Sequence, residues 1–353
     1  MKMAVAFTER FSKVRLITNG GILNKGTADT KTWYGLSRSV EVVRLPLYLR
    51  ESEALLRRVD TARFVAFAAL YSRFLRGDLV YSRSPRAGAL SVRLGNKTII
   101  EEHANPEEEI IPTVVPIAKR PSFLGVVTVN EYIKAEYVRA GIPGNKVFVA
   151  PDAADVEQFR SAKSRIECRR LLGICIEQPV VMYMGHFYPE KGIETALESA
   201  RLLPSVQFLF VGGWTEDADR LRSSARLLPN VSVTDFVSND RVPFYLAAAD
   251  ILLLPNSGRY QHAYYASPLK LFEYMAANRP IVASNVPAFV GVLEHRRNAY
   301  LVAPDDPDSM ANGIVDILSN AALRMRIVAD ASDYVGRHSW RHRVDRILEE
   351  IFA

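Results

Sequence analysis

Ser267-Pro268-Leu269-Lys270-Leu271-Phe272-Glu273-Tyr274-Met275-Ala276 lies between two short apolar runs. Ile251-Leu252-Leu253-Leu254-Pro255 precedes it and Arg279-Pro280-Ile281-Val282-Ala283-Ser284 follows it. Apolar runs on either side of a helix predict a βαβ unit with buried parallel strands. Ser267 is a good N-cap, and Pro268 then falls at the first helical position, where its missing N–H costs nothing. The spacing predicts a helix that starts here.

A helix start points free N–H groups and partial positive charge toward whatever lies above the sheet, a natural place for an anion. Glu273 follows Ser267 by six residues, roughly 9 Å along the axis. A diphosphate and a ribose are separated on about that scale, so one helix can reach both. On spacing alone, a capped core helix whose Glu273 faces water is the commoner reading.

With 353 residues the chain is long for one core and natural for two domains. Hydrophobic residues make up 48% and charged residues 24%, the balance of a soluble globular protein. No apolar run reaches the ~18 residues of a spanning helix, and Met1-Lys2-Met3 leads into no signal-peptide core, so a cytoplasmic protein is expected. Two cysteines, Cys168 and Cys175, lack His or Cys partners at metal-ligand spacing, which argues against structural zinc or a disulfide framework. Charge is lopsided. Residues 1–150 hold 23 Lys+Arg against 14 Asp+Glu, a net of +9, which leaves 22 against 25, a net of −3, for residues 151–353. A basic half suits an anionic membrane surface first and plain solubility next; no nucleic-acid motif accompanies it.

In the first half, residues 14–18, 40–45, 78–83, 97–103, 124–130 and 147–150 read as strands, with helices at 52–75 and 131–139. Strands alternating with helices imply an open parallel sheet. The helix at 52–75 carries interspersed arginines and either covers that sheet or lies on a membrane. His103 stands just past a strand end, where ligands bind in such sheets.

In the second half, the strand at 180–184 runs into Gly185-His186-Phe187-Tyr188-Pro189-Glu190-Lys191-Gly192 and then a helix. Gly185 admits close backbone approach and Lys191 places a point charge, a phosphate-loop arrangement. By itself Gly-x5-Lys-Gly is weak and reads more readily as a surface turn. His186 carries an uncertain charge near neutral pH. The strand ending in Val211-Gly212-Gly213 and the run at 231–237 follow, and the loop at 258–266 is polar and aromatic, expected to be mobile, with His262 unassigned. Asp306 caps a helix to 318. The last helix, 340–351, shows Val344, Ile347, Leu348 and Ile351 at helical spacing, and Trp340 reads as packing.

Taken together these motifs resemble family 4 retaining glycosyltransferases. Its members show Glu-x7-Glu or a Ser-Pro-x-Lys-x-x-Glu-Tyr-Met-Ala variant, and the second is matched here, with Tyr265 in place of the first Glu. Gly185 to Gly192 is similar to the family's second signature, and Glu-x-His at 101–103 to a third. The resemblance implies the α/β GT-B fold: two Rossmann-like domains facing across a cleft, at 1–158 and 159–334, with a C-terminal helix, 335–353, returning to the first. It implies transfer of a sugar from a nucleoside-diphosphate sugar to an acceptor hydroxyl with retention; the basic first half adds the expectation of a role in glycolipid or cell-surface polysaccharide synthesis, peripheral at the inner membrane face. Lys191 and the backbone at Ser267, Pro268, Leu269 and Lys270 would receive the diphosphate beside Gly185 and His186. Glu273 would hold the ribose, Gly212 and Val237 would line the nucleoside, and His103 would face the sugar. No bound metal and no other cofactor are expected, because these groups neutralise the diphosphate. Two departures stand out. Asp152 and Ala153 replace the family's usual Asn and Gly. Residues 3–11 already read as the family's first helix, so its first strand and Gly-rich loop are missing. Tyr265 and the missing first strand favour a second reading, a nucleotide-sugar-binding subunit that works with a protein partner; a third is another GT-B enzyme such as a sugar-nucleotide epimerase.

Overall fold

The computed structural model describes residues 2–19, 40–45, 54–103, 111–160, 163–266 and 269–352. The chain divides into two compact units, Met1–Pro151 with Trp340–Ala353, and Asp152–Ser339. The sequence reading set its first boundary at 158. Here the cut falls earlier, because Val156 and Phe159 bury their side chains in the core of the second unit. The later cut falls after Ser339, and Ala331 and Val335 belong to that same core.

In the first unit, β1 (Val14–Asn19) pairs in parallel with β2 (Val40–Leu45). A separate parallel sheet holds β3 (Val80–Ser82), β4 (Thr98–Glu102), β5 (Phe123–Thr128) and β6 (Val147–Val149), in that order. Among the described residues the two sheets do not join, where the sequence suggested one continuous sheet. Local chemistry accounts for the helices between strands. Ser84 accepts from the N–H of Ala87 and is followed by Pro85 at the first position of the helix Pro85–Arg93; Asn130 caps the helix Glu131–Arg139 through the N–H of Ile133.

The helix Trp340–Phe352 packs Val344 and Ile347 against Met3, Phe7, Ile99 and Val127. It also delivers Arg343 to the buried Glu101 at 2.7 Å. The same guanidinium donates to the carbonyls of Ala150 (3.0 Å) and Pro151 (2.9 Å). One arginine therefore ties both ends of the unit to β4.

The second unit is a single six-stranded parallel sheet of β7 (Val180–Met184), β8 (Gln207–Val211), β9 (Val231–Thr234), β10 (Ile251–Leu254), β11 (Ile281–Ser284) and β12 (Tyr300–Val302). Its order is β12-β11-β10-β7-β8-β9. Strands β7, β8, β10 and β11 are apolar almost throughout and nearly all buried, as expected for a sheet covered on both faces. Strand order reverses between β7 and β10, which marks the switch point of a doubly wound sheet, where ligands bind outside the carboxyl ends of the strands. The opposite end is closed by Asp250, which accepts from the N–H of Val180 (2.7 Å) and pairs with the buried Arg169 (2.5 Å).

The Glu101–Arg343 pair sets an acid limit on the first unit. Burial raises the Glu101 pKa, but Arg343 first and then His103 and Arg83 outweigh it, leaving the carboxyl lowered from 4.5 to about 2. A depressed folded-state pKa means the stabilisation is complete above the unfolded value near 4.5 and is lost as pH falls through about 2. Glu101→Gln strands a buried guanidinium and is expected to destabilise the first unit by about 3–5 kcal/mol at pH 7. Urea unfolding checks this, and the variant should also lose most of the wild-type fall in stability between pH 4.5 and 2.

Candidate functional site

Four loops leave the carboxyl end of the second sheet around the switch point. They follow β7, β8, β9 and β10, and the helix Leu269–Ala276 stands beside them. Ser267 and Pro268, the predicted helix start, lie outside the described residues, so the backbone cradle expected there is visible only from Leu269 onward.

Glycine allows these loops to meet. A Cβ on Gly212 (φ +116°) would lie 2.6 Å from the carbonyl oxygen of Gly185. A Cβ on Gly192 (φ +68°) would lie 1.8 Å from the carbonyl oxygen of Pro255, in the loop after β10. Both backbones also adopt conformations that L side chains avoid. The first contact joins the exits of β7 and β8; the second joins the β7 loop to β10 across the switch point.

The motif helix buries Leu271, Phe272, Tyr274 and Met275, and leaves Lys270 and Glu273 partly exposed. At an i,i+3 spacing these two share a side of the helix. Tyr274 fixes that helix to β7, with the N–H of Met184 donating to its hydroxyl at 2.9 Å. Lys270 then crosses the β7 exit so closely that a Cβ on Gly185 would meet its Cε at 2.1 Å and its Nζ at 2.7 Å.

Lys191 lies in the turn Pro189–Lys191, half-buried, with Nζ 2.7 Å from His262 Nε2. An ammonium only donates, so His262 accepts there and is a neutral imidazole. Burial first, and then Lys191, push the His262 pKa down, in keeping with that tautomer. Burial and then Lys270 lower Lys191 from 10.5 to about 8, Glu190 opposing. Burial also lowers Lys270, with Glu273 opposing. His186 is lowered by burial, then by Lys270 and Lys191, and its Nδ1 is buried without a hydrogen-bond partner in the structure. The charge of this site is thus carried by lysines rather than imidazoles, and Lys270 makes the charged form of Lys191 more costly. An anion between them would relieve that repulsion.

Rings line the wing formed by β7, β8 and β9. Tyr188 stacks on His186 (5.1 Å, 10°), His186 meets Trp214 (5.7 Å), and Trp214 stacks on Phe236 (6.0 Å, 10°). Val237 follows Phe236 and packs against the core. Sequence reasoning left His262 unassigned and passed over Trp214 and Phe236. His262 falls in a loop without regular pattern, and only folding shows its reach to Lys191. The bulky rings directly after strand ends were a readable signal.

In the first unit, His103 follows β4 directly. Its Nε2 lies 2.7 Å from Glu101 Oε1, and its N–H donates to Glu102. The Glu101 carboxylate is ionised above about pH 2 and can only accept, so Nε2 of His103 carries the proton.

Residues 178–320 match the family model described as Glycosyl transferases group 1. The phosphatidyl-myo-inositol mannosyltransferase of Mycobacterium tuberculosis is 28% identical over 288 residues, covering 77% of this chain and 72% of that protein. Among solved structures, the sucrose-phosphate synthase of Thermosynechococcus elongatus superposes with a TM-score of 0.78 at 19% identity, over 99% of this chain and 92% of that one. Anabaena HepE, solved in complex with UDP, superposes with a TM-score of 0.74 at 18% identity, over 99% and 95% of the two chains. The shared fold is the GT-B architecture of two Rossmann-like domains.

Gly192→Ala would place a methyl on a backbone carbonyl as well as strain φ. It is expected to lower the thermal midpoint of the second unit by several degrees and to break the Lys191–His262 contact. The second effect can be read as the loss of slowed exchange at the His262 ring by NMR.

Proposed function

We propose that this chain, a glycosyltransferase of the group 1 type, moves a hexose from a nucleoside-diphosphate sugar to an acceptor hydroxyl with retention of configuration. The observation that carries the reading is the pair of half-buried lysines, Lys191 and Lys270, gathered at the switch point over a backbone surface cleared by glycine. The diphosphate would lie between them and against the start of the Leu269–Ala276 helix. The nucleoside would run toward Gly212, Trp214 and Val237, and Glu273 would hold the ribose. His186, neutral and with a free Nδ1, would add a hydrogen bond rather than a charge. As the sugar leaves, charge grows on the diphosphate, and preorganised donors at that point are usually the largest catalytic term. The lysines would take the role that a metal fills elsewhere. His103, its proton held on Nε2 by Glu101, would act at the transferred sugar through its other nitrogen.

A lipid-linked or cell-surface glycan is the acceptor class we favour. The mannosyltransferase relative is named for a phosphatidylinositol acceptor. The helix Ala54–Leu75 of this chain also exposes Phe67, Leu70 and Phe74 in one stripe beside exposed Arg63, Arg73 and Arg76. An apolar stripe with flanking arginines suits the headgroup boundary of an anionic membrane. Among the described residues no helix is long and apolar enough to cross a membrane.

The test is sugar transfer by the purified chain together with a thermal-shift screen against UDP, GDP, ADP and their sugar conjugates. A donor base should raise the melting point by a few degrees at ~100 times its dissociation constant. Lys191→Ala and Lys270→Ala should each lower kcat by roughly 10²–10³-fold. Nucleotide affinity should weaken as pH rises through about 8, where free Lys191 loses its proton, because the bound anion favours the charged form. Binding without transfer would favour the second reading, a donor-binding subunit, which the Tyr265 position also favours: its ring stands edge-on to His262 instead of offering a carboxylate. No shift with any nucleotide would overturn the donor-site assignment.

Phe67→Ser combined with Phe74→Ser should reduce binding to phosphatidylglycerol vesicles at least about tenfold while leaving nucleotide affinity unchanged. Cosedimentation at low salt reads this directly.

A further inference from the structure

A cavity of about 740 Å³ opens at the amino edge of the second sheet, opposite the candidate site. Pro179, Asp250 and Pro280 line it, and each immediately precedes one of the adjacent strands β7, β10 and β11. Arg165 and Arg169 reach it from the helix Arg165–Leu172, about one turn apart. Met325, Val328 and Ala329 reach it from the helix Ala321–Gly336, at the spacing of a single helix face. No residue assigned above to the nucleotide sugar lines it. Doubly wound sheets bind their substrates at the carboxyl ends of the strands, so a cavity at the other end stands apart from the reaction.

Four arginines line this cavity, Arg165, Arg169, Arg279 and Arg324, against two acids, Asp250 and Glu177, a surplus of two positive charges. The pairing is uneven. Asp250 takes both Arg165 and the buried Arg169. The other donors of Arg169 go to the carbonyls of Ala248, Cys175, Ile176 and Gln178. Glu177 is exposed and accepts from the Cys175 thiol at 3.2 Å. Arg279 donates to the carbonyls of Ala247 (2.7 Å) and Asn278 (2.9 Å), and Arg324 to those of Ile317 (2.8 Å) and Leu318 (2.7 Å). Among the described residues neither of these two half-buried side chains pairs with a carboxylate. Each also keeps N–H groups to spare, since a guanidinium has five. Burial first and then Arg165 lower the Arg279 pKa, with Asp250 and Cys168 opposing. An arginine does not relieve such crowding by losing its proton, as Lys191 can at about pH 8. Relief comes only from an anion.

We propose that this cavity binds a small organophosphate, its phosphate among Arg165, Arg279 and Arg324 and its carbon body against Leu318, Met325 and Val328. The forked donors of arginine match phosphate oxygens in pairs. A phosphomonoester carries close to two negative charges at neutral pH, which answers the surplus better than a single carboxylate does. Size argues for the carbon body. The five heavy atoms of inorganic phosphate, at the roughly 30 Å³ that liquid water gives each molecule, fill about 150 Å³. Most of the cavity remains, with an apolar wall, and its volume lies in the range of about 300–1,000 Å³ typical of small-molecule sites. Bound there, the ligand joins the helices Arg165–Leu172 and Ala321–Gly336 across the starts of β7, β10 and β11. It stabilises the unit from the edge opposite its two lysines.

Calorimetric titration of the full chain with phenyl phosphate, inorganic phosphate and phenol tests this. The chain carries Lys191→Ala and Lys270→Ala, so that phosphate bound between those lysines does not contribute. Phenyl phosphate should bind one to one, inorganic phosphate at least about tenfold more weakly, and phenol not measurably. Adding Arg279→Gln and Arg324→Gln should weaken phenyl phosphate at least about tenfold. Both arginines also hold backbone carbonyls, so Met325→Glu serves as the second variant. Met325 is exposed and carries no donor, and a carboxylate in its place repels the ligand with little effect on the melting point of the free chain. It should weaken phenyl phosphate by a similar factor and, made in the wild-type chain, leave nucleotide binding as it is. Unchanged affinity in Met325→Glu overturns the site, as does the absence of phenyl phosphate binding by the folded chain. Inorganic phosphate binding as tightly as phenyl phosphate overturns the carbon body. A hexaglutamate peptide binding more tightly than either overturns the small-molecule assignment.

Discussion

The candidate site depends on strand exits approaching one another with no side chain between them. The β7 and β8 exits touch through Gly185 and Gly212, and the β7 loop touches the β10 exit through Gly192 and Pro255. A parallel doubly wound sheet sends these exits to one edge, and the reversal of strand order separates the helices there. Glycine then turns that edge into a surface of backbone. Only after the backbone has closed up do Lys191, from one loop, and Lys270, from the motif helix, come to share a space. Tyr274 sets the second of these by bonding to β7 at Met184, so its hydroxyl determines where Lys270 can reach.

Charge at this edge is held in a state of mild conflict. Each lysine is partly desolvated and faces the other, with Glu190 and Glu273 as the opposing acids. The fold tolerates this because the rest of the unit is well determined: four strands buried nearly throughout, a capping box at Ser164, and an Arg169–Asp250 pair closing the opposite end. Strain and repulsion concentrated at one edge of an otherwise consistent structure are characteristic of functional sites.

Much of this was legible in the residues. Apolar runs marked β7, β8, β10 and β11, because a buried parallel strand cannot hide its composition, whereas the short edge strand β12 went unread. Asp306 marked a helix start through its side-chain oxygen. The positions of Gly185, Lys191 and Glu273 followed from their order along strand, loop and helix. What escaped was contact across the fold. His262 reaches Lys191 over a separation of 71 residues, and no local period announces that. The ring row from Tyr188 to Phe236 joins three loops, each of which looks like an ordinary turn alone. The break between the two sheets of the first unit was equally invisible, since β1 and β3 each have acceptable strand composition and only their pairing tells them apart.

The two units use buried charge differently. In the second, Lys191 and Lys270 gather at the strand exits, and an anion bound there would offset their burial and repulsion. In the first unit, Arg343 gathers Glu101, Ala150 and Pro151 around β4 and closes one half of the core. That pair is satisfied inside the fold, each charge meeting its partner and the carbonyls beside it. A paired buried charge holds structure, whereas a crowded, unpaired one at a strand exit is free to answer a ligand.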